Sequence, residues 1–347
     1  MNRIVNRPRF ACLISWLVIC YLLTVAHCSR GNDFTIPYLR GEISLDGVLS
    51  EAVWDTVPWR SNFLILGTDD APAAATRFKV FHNQHELFIG IECQEPSMET
   101  LVDTPVYTHN SSMIWMHDSV EINLVPDENL LNLYKFMINS QGISCALWGE
   151  DDNTDRGIYV FMQPYSNHLR THTSRHADKW IVELALPLGA INFAPDATAL
   201  WRFNIGRNRY AVKPAELSAS SRLSELKKHV QVRDFQKVEL EAFSPAVYQW
   251  EFTNMATALQ RQASGALDCQ FAVDVINRSG EFRICQGRVS LLDDKQAKVL
   301  SDEWEFDVTD TAFSRQQRSF VLPVEGEFQL DFELYSSLGH LLKKVRK

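Results

Sequence analysis

Beyond residue 26 this chain of 347 residues has no apolar run near the roughly 20 residues a spanning helix needs, which excludes a later helical membrane crossing. It also lacks any block of Lys or Arg long enough to track a phosphate backbone. With a net charge of −9, nucleic acid is therefore a poor partner. Glycine (15) and proline (13) are sparse, and neither repeats nor low-complexity tracts occur, so collagenous, solenoid and disordered classes drop out. No two cysteines stand at the close spacing of a zinc ribbon or a redox motif. The nucleophile elbow, the H-E-x-x-H zinc helix, the Walker loop and the dinucleotide fingerprint are all missing. Helical periodicity is scarce as well. The best candidate is residues 50–55, where Ser50 can cap, with a weaker one over 217–228.

Arg3, Arg7 and Arg9 precede an apolar stretch from Ala11 to Ala26, followed at once by polar residues. That is the layout of a secretory signal peptide, placed at 1–28, and it predicts a secreted, periplasmic or cell-surface protein; an uncleaved N-terminal anchor is the alternative. Cys28 invites a lipoprotein reading, but His27 stands where such signals want a small residue. Setting aside Cys12, Cys20 and Cys28, the folded part keeps Cys93, Cys145, Cys269 and Cys285, an even number in an oxidising compartment. Disulfides 93 to 145 and 269 to 285 are predicted, with buried free thiols as the alternative.

The rest of the chain reads as many short strands, β-branched and aromatic residues alternating with polar ones. Candidate strands cover 77–82, 86–93, 118–125, 133–139, 158–163, 168–173, 179–186, 200–207 and 235–241. Alternation lapses between Phe243 and Leu267, where Ser, Ala, Gln and Gly accumulate. The predicted organisation is an all-β chain: a β-sandwich over 29–243, a linker over 244–266, and a smaller domain over 267–347. Strands near 268–276, 282–292, 302–308, 317–322 and 327–335 suggest that this last domain is an immunoglobulin-like sandwich. It is also the candidate docking site for a protein partner.

The most informative stretch is Trp115-Met116-His117-Asp118-Ser119-Val120-Glu121-Ile122. Val120, Ile122 and Leu124 fall on one side of an extended segment and Ser119, Glu121 and Asn123 on the other, so one face packs while the other can bind. A pyranose presents an apolar C–H patch that lies against an indole and hydroxyls that donate to a carboxylate; Trp115 and Glu121 match both. By the same parity Lys135, Asn139, Asn204 and Asn208 share the face of Glu121 and are candidate hydroxyl partners. Trp54, Trp180 and Trp201 sit within apolar patterns and are assigned to the core.

Further segments join this motif in order: Ile43-Ser44-Leu45-Asp46-Gly47 through Trp54, Glu86-Leu87-Phe88-Ile89-Gly90-Ile91-Glu92-Cys93, Trp180-Ile181-Val182-Glu183 with Pro187, and Trp201-Arg202-Phe203-Asn204-Ile205. Together, over residues 34–243, they resemble the family 9 carbohydrate-binding module of the wider DOMON-like β-sandwich group. The resemblance implies a two-sheet antiparallel sandwich that binds glycans, often polysaccharide chain ends, on one concave face. Such modules usually ride on glycoside hydrolases, which links the chain to polysaccharide catabolism. The family's Trp and Glu in W-x-x-D-S-V-E match Trp115 and Glu121. Three other family positions depart here: the sugar-binding Arg aligns with Met137, a polar residue with Gly206, and the second Trp falls near His229, which could still stack on a sugar.

Competing chemistries are weaker. Glycoside hydrolysis needs two carboxylates across a cleft, and the chain beyond residue 243 is too short for a barrel of about 250 residues, so the chain is read as non-catalytic. The acidic loop of Glu150, Asp151, Asp152 and Asp155 is the candidate site for a structural Ca²⁺, which the family also uses; simple hydration is the alternative. DOMON-like domains can also hold haem, for which Met137 and His229 would be the axial ligands. The expected function is exported, non-catalytic glycan recognition of oligo- or polysaccharides. An accessory part of a glycoside hydrolase system and a scaffold or adhesion protein that has lost sugar binding are the other readings.

Overall fold

The computed structural model describes residues 33–41, 43–103, 109, 111–126, 132–150, 163–164, 169–193, 197–224, 226, 229–264, 266–279, 283–293, 297–308, 313–322 and 328–346. The predicted signal peptide therefore lies outside the described residues, as do Asp151, Asp152, Asp155 and the side chain of Glu150.

The first part of the chain builds β1 (Phe34–Ile36), β2 (Leu64–Ile65), β3 (Thr76–His82), β4 (Glu86–Gln94), β5 (Ser119–Val125), β6 (Asn132–Asn139) and β7 (Ser144–Glu150). It continues with β8 (Gln163–Pro164), β9 (Arg170–Arg175), β10 (Lys179–Pro187), β11 (Leu200–Arg209), β12 (Glu216–Ala219) and β13 (Gln236–Leu240). One short helix, α1 (Ala52–Thr56), overlaps the predicted 50–55, but its N-cap is Glu51, which makes no side-chain capping bond, and not Ser50. Two sheets result. The larger runs β1-β13-β11-β5-β6-β7-β8, with β12 pairing β11 and β2; the smaller is β3-β4-β10-β9. Period-two alternation explains how they stack. Leu87, Ile89, Ile91, Cys93, Trp180, Val182 and Leu184 face Val120, Ile122, Tyr134, Phe136, Trp201 and Phe203 in one core. Trp54, Trp180 and Trp201 are fully buried, as their apolar surroundings in the sequence predict.

The opposite face of the larger sheet is unusual in being covered too, so that every residue of β5 is buried. On one side a 3₁₀ turn, Ser112–Met116, drops Ile114 onto Met137, Cys145 and Leu147. On the other, Leu66, Ala219, Leu223, Val232 and Phe235 pack over Val125 and Leu133. Residues 216–219 form a strand where the sequence predicts a weak helix. The edge of β11 decides this by pairing Gly206 to Ala219 and Asn208 to Leu217.

The second sandwich comprises β14 (Trp250–Arg261), β15 (Leu267–Asn277), β16 (Arg283–Leu292), β17 (Lys298–Val308), β18 (Phe313–Leu322), β19 (Gln329–Ser336) and β20 (Leu341–Arg346). A sheet β14-β15-β18 covers a sheet β17-β16-β19-β20 around Trp250, Phe271, Val273, Val289 and Phe332. This is a three-plus-four layering of the immunoglobulin-like kind. The predicted linker contains β14, whose alternation is masked because it is an exposed edge strand carrying Ala256, Ala258 and Gln260 outward. The two sandwiches meet where the His340 ring stacks on His85 at 3.6 Å. There Gly189 admits the Leu341 carbonyl so closely that any Cβ would collide with it.

All four cysteines of the folded part are buried free thiols, which corrects the predicted disulfides. For Cys93 and Cys145 the reason is parity. Cys93 points into the inter-sheet core, whereas Cys145 points to the far face of its sheet, beneath Ile114. Cys269 and Cys285 share the second core but remain unbridged.

Candidate functional site

Between the 3₁₀ turn and the β2/β12 cover, part of the larger sheet's second face stays open as a cleft of about 710 Å³. Its polar floor is Glu121 from β5, Lys135 from β6, Asn208 from β11 and His229 from the segment after β12. Trp115 stands on the rim, 42 % exposed, on the turn that Ser111 caps by accepting from the Met113 amide at 3.3 Å. Tyr210 lines the cleft just beyond β11.

Glu121 is 2 % exposed and holds two partners: Lys135 Nζ lies 2.5 Å from Oε2, and Asn208 Nδ2 donates to Oε1 at 2.9 Å. Burial pushes its carboxyl up, but the Lys135 ammonium, then His229, which is an imidazolium at the low pH where this carboxyl titrates, and the Asn208 amide outweigh it and hold the pKa down at about 2. The floor therefore presents a permanent carboxylate. Asn208 also donates to Ser119 Oγ at 3.2 Å, which turns its carbonyl toward His229 Nε2 at 3.3 Å. In that arrangement His229 Nε2 is the donor. Burial pushes the imidazole pKa down against the pull of the Glu121 carboxylate, which favours the neutral ring at pH 7.

Gly206 explains how His229 comes to lie there. A Cβ at position 206 would stand 2.5 Å from His229 Nδ1, so the bare glycine is the seat of the ring. Positions 206 and 229, which the sequence resemblance sets apart separately, thus form one structural unit: the bare glycine on the strand admits an imidazole from the neighbouring segment. Met137 does not join them. It is buried under Ile114, outside the cleft lining to which His229 belongs.

Not every residue of the predicted face reaches the cleft. Asn139 accepts from the Gln141 and Ile143 amides at 3.1 and 2.9 Å and donates to His117 Nδ1 at 3.1 Å, so it shapes the turn after β6. Asn204 accepts from the Ser221 amide at 3.0 Å beneath the β12 cover. Asp118 is also a positioning residue: it accepts from Val102, Tyr210 and Ala211 amides, tying the Trp115 turn to the end of β11. β11 is held in turn by Glu95, which accepts from Arg207 at 3.2 Å and from Arg209 at 2.7 and 2.9 Å. Tyr210, Leu66, Leu226 and Val230 escape sequence reasoning because they lie outside strands, and Ile65 and Leu217 because their strands, β2 and β12, are too short to show alternation. The one signal for Tyr210 is its place directly after the β11 pattern.

Among the described residues, no group of three or more His, Cys, Asp or Glu side chains is placed to hold a metal ion, and no helix is long and apolar enough to cross a membrane.

Part of the chain is similar to known proteins. Residues 45–211 match the family model described as carbohydrate family 9 binding domain-like. Among solved structures, a protein of Bacteroides uniformis ATCC 8492 assigned as carbohydrate-binding is 12 % identical. It aligns with 61 % of this chain and 100 % of its own at a TM-score of 0.49. A family 9 carbohydrate-binding module of Caldicellulosiruptor kristjanssonii, in complex with cellotriose, is 15 % identical; the alignment covers 61 % of this chain and 94 % of that one at a TM-score of 0.40. No curated protein sequence matches. The two-sheet sandwich, the ordered motifs and the matching model together make the segment 45–211 similar to the carbohydrate family 9 binding domain-like family.

Proposed function

We propose that the leading sandwich is a non-catalytic saccharide receptor, and that its cleft is the binding site. The observation that carries this is the shared lining: an exposed indole, Trp115, and a buried, ionised carboxylate, Glu121, open onto one cavity. The indole offers its face to the C–H patch of a pyranose, and Glu121 accepts hydroxyl donors with the lone pairs that Lys135 and Asn208 leave over. Lys135 cancels the charge of Glu121 and His229 is neutral, so the floor suits a neutral sugar better than a uronic acid. Glu121 is the single carboxylate among the described lining residues, whereas glycoside hydrolysis needs two. A disaccharide of about two dozen heavy atoms at ~0.3 kcal/mol per atom would bind at roughly ten micromolar.

The Arg-flanked apolar leader supports export of the protein to the cell surface, periplasm or medium, and the family supports a role beside polysaccharide-degrading enzymes. Glycan-array screening of the wild type against Trp115→Ala tests the reading. Binding to at least one neutral glycan, lost in the variant, is expected. Silence across the array would instead favour a scaffold that kept the fold without the sugar.

A further inference from the structure

The floor of the cleft is polar, but one of its walls is aliphatic. Ile65, Leu66, Leu217, Leu226 and Val230 line it beside the Glu121 floor. A bare sugar has little use for such a wall. Its C–H patch is flat and matches a ring plane, which Trp115 and Tyr210 already supply, while a hydroxyl pressed against branched aliphatic carbons gives up water without gaining a partner. Nor is the wall a loosely draped loop. Leu66 donates its amide to Leu217 at 3.0 Å, Gly67 donates to Leu223 at 2.9 Å, and β2 pairs Ile65 with Ser218.

Leu226 shows that the apolar character is built in. It is 66 % exposed, and it lies over Gly67, whose φ of +72° and missing Cβ leave room for it: a Cβ there would stand 2.5 Å from the leucine Cδ2. The backbone thus holds an aliphatic side chain out at the mouth, where solvation alone would favour a polar one. The cavity of about 710 Å³ lies well inside the range of roughly 300–1,000 Å³ typical of clefts for drug-sized ligands. That is room for a sugar ring and a substituent together.

We infer that the ligand is amphipathic: a neutral sugar carrying an apolar substituent, such as an alkyl or aryl aglycone, with its ring on Trp115 and Glu121 and its apolar group along Ile65, Leu66, Leu217, Leu226 and Val230. This rests on the saccharide reading of the same cleft.

Titration calorimetry of the full chain with paired methyl and octyl β-glycosides of glucose, galactose, mannose and N-acetylglucosamine, below the micellar concentration, tests it. For at least one sugar the octyl glycoside is expected to bind about a hundredfold tighter than the methyl glycoside, the gain from burying a few methylenes. Leu226→Asn is expected to narrow that gap about tenfold, and Trp115→Ala to weaken both members of the pair. Equal affinity for the methyl and octyl forms overturns the amphipathic ligand and leaves the saccharide reading standing. No binding of any glycoside, or 1-octanol binding as tightly as the octyl glycosides, overturns both.

Discussion

Replacing Lys135 by Met removes the cation that sits 2.5 Å from the buried carboxylate of Glu121 while keeping most of the side chain's volume. In the wild type the folded pKa of Glu121 is about 2 against an ordinary 4.5. At about 1.4 kcal/mol per pH unit, that gap is worth about 3 kcal/mol of stability at neutral pH, the low end of the roughly 3–5 kcal/mol lost when a buried pair is broken from one side. The sign follows from linkage. A carboxyl whose folded pKa lies below its unfolded value stabilises above pH 4.5 and loses that contribution as pH falls toward 2. In Lys135→Met burial prevails, the carboxyl pKa rises above its ordinary value, and the group takes up a proton instead of remaining an unpaired charge. The deficit is therefore largest at pH 7 and shrinks in acid. For a sandwich of this size we expect calorimetry to show the transition of the leading domain lowered by about 6–12 °C at pH 7 and by less than half of that at about pH 3. The double variant Lys135→Met with Glu121→Leu should recover most of the loss, since a buried pair exchanged for apolar groups is close to neutral. A deficit below about 2 °C at pH 7, or one of the same size at both pH values, would refute the reasoning.

Gly206→Ala should cost about 1–3 kcal/mol in urea unfolding, because the new methyl collides with the His229 ring, and adding His229→Ala should return part of it. Melting temperature should fall as pH drops below 6.5, where the unfolded chain protonates histidines that the fold keeps neutral. Burial lowers the pKa of His82, whose Nδ1 accepts from the Gln84 amide while Nε2 donates to the Glu241 carbonyl, so His82→Gln should flatten part of that fall. Trp54→Phe should destabilise by about 2 kcal/mol in chemical denaturation, because it removes the 3.0 Å indole donor to Glu183, a buried carboxylate that also accepts from the Asp46 and Gly47 amides.

Alternation of apolar and polar residues was by itself enough to place the sheets. The inward sets around Ile91, Ile122, Phe136 and Trp180 need no more than a period of two to find one another, and the motifs at 86–93, 119–122, 180–183 and 201–205 rest on those same strands. The candidate indole and carboxylate were legible too, since Trp115 and Glu121 are neighbours along the chain. Which polar residues of that face meet solvent was not. Asn139, Asn204 and Asn208 share parity with Glu121, but covers contributed by residues 112–116 and by the β2/β12 segment bury the first two and leave the third open. The four thiols show the same limit, for an even number of cysteines does not say which side of a sheet each one faces. His229 and its seat on Gly206, the ion pair of Lys135 with Glu121 and the aliphatic wall beside them all join segments far apart in the chain. Periodicity describes one strand at a time, so contacts that depend on how a second layer folds back over the sheet belonged to the tertiary structure alone.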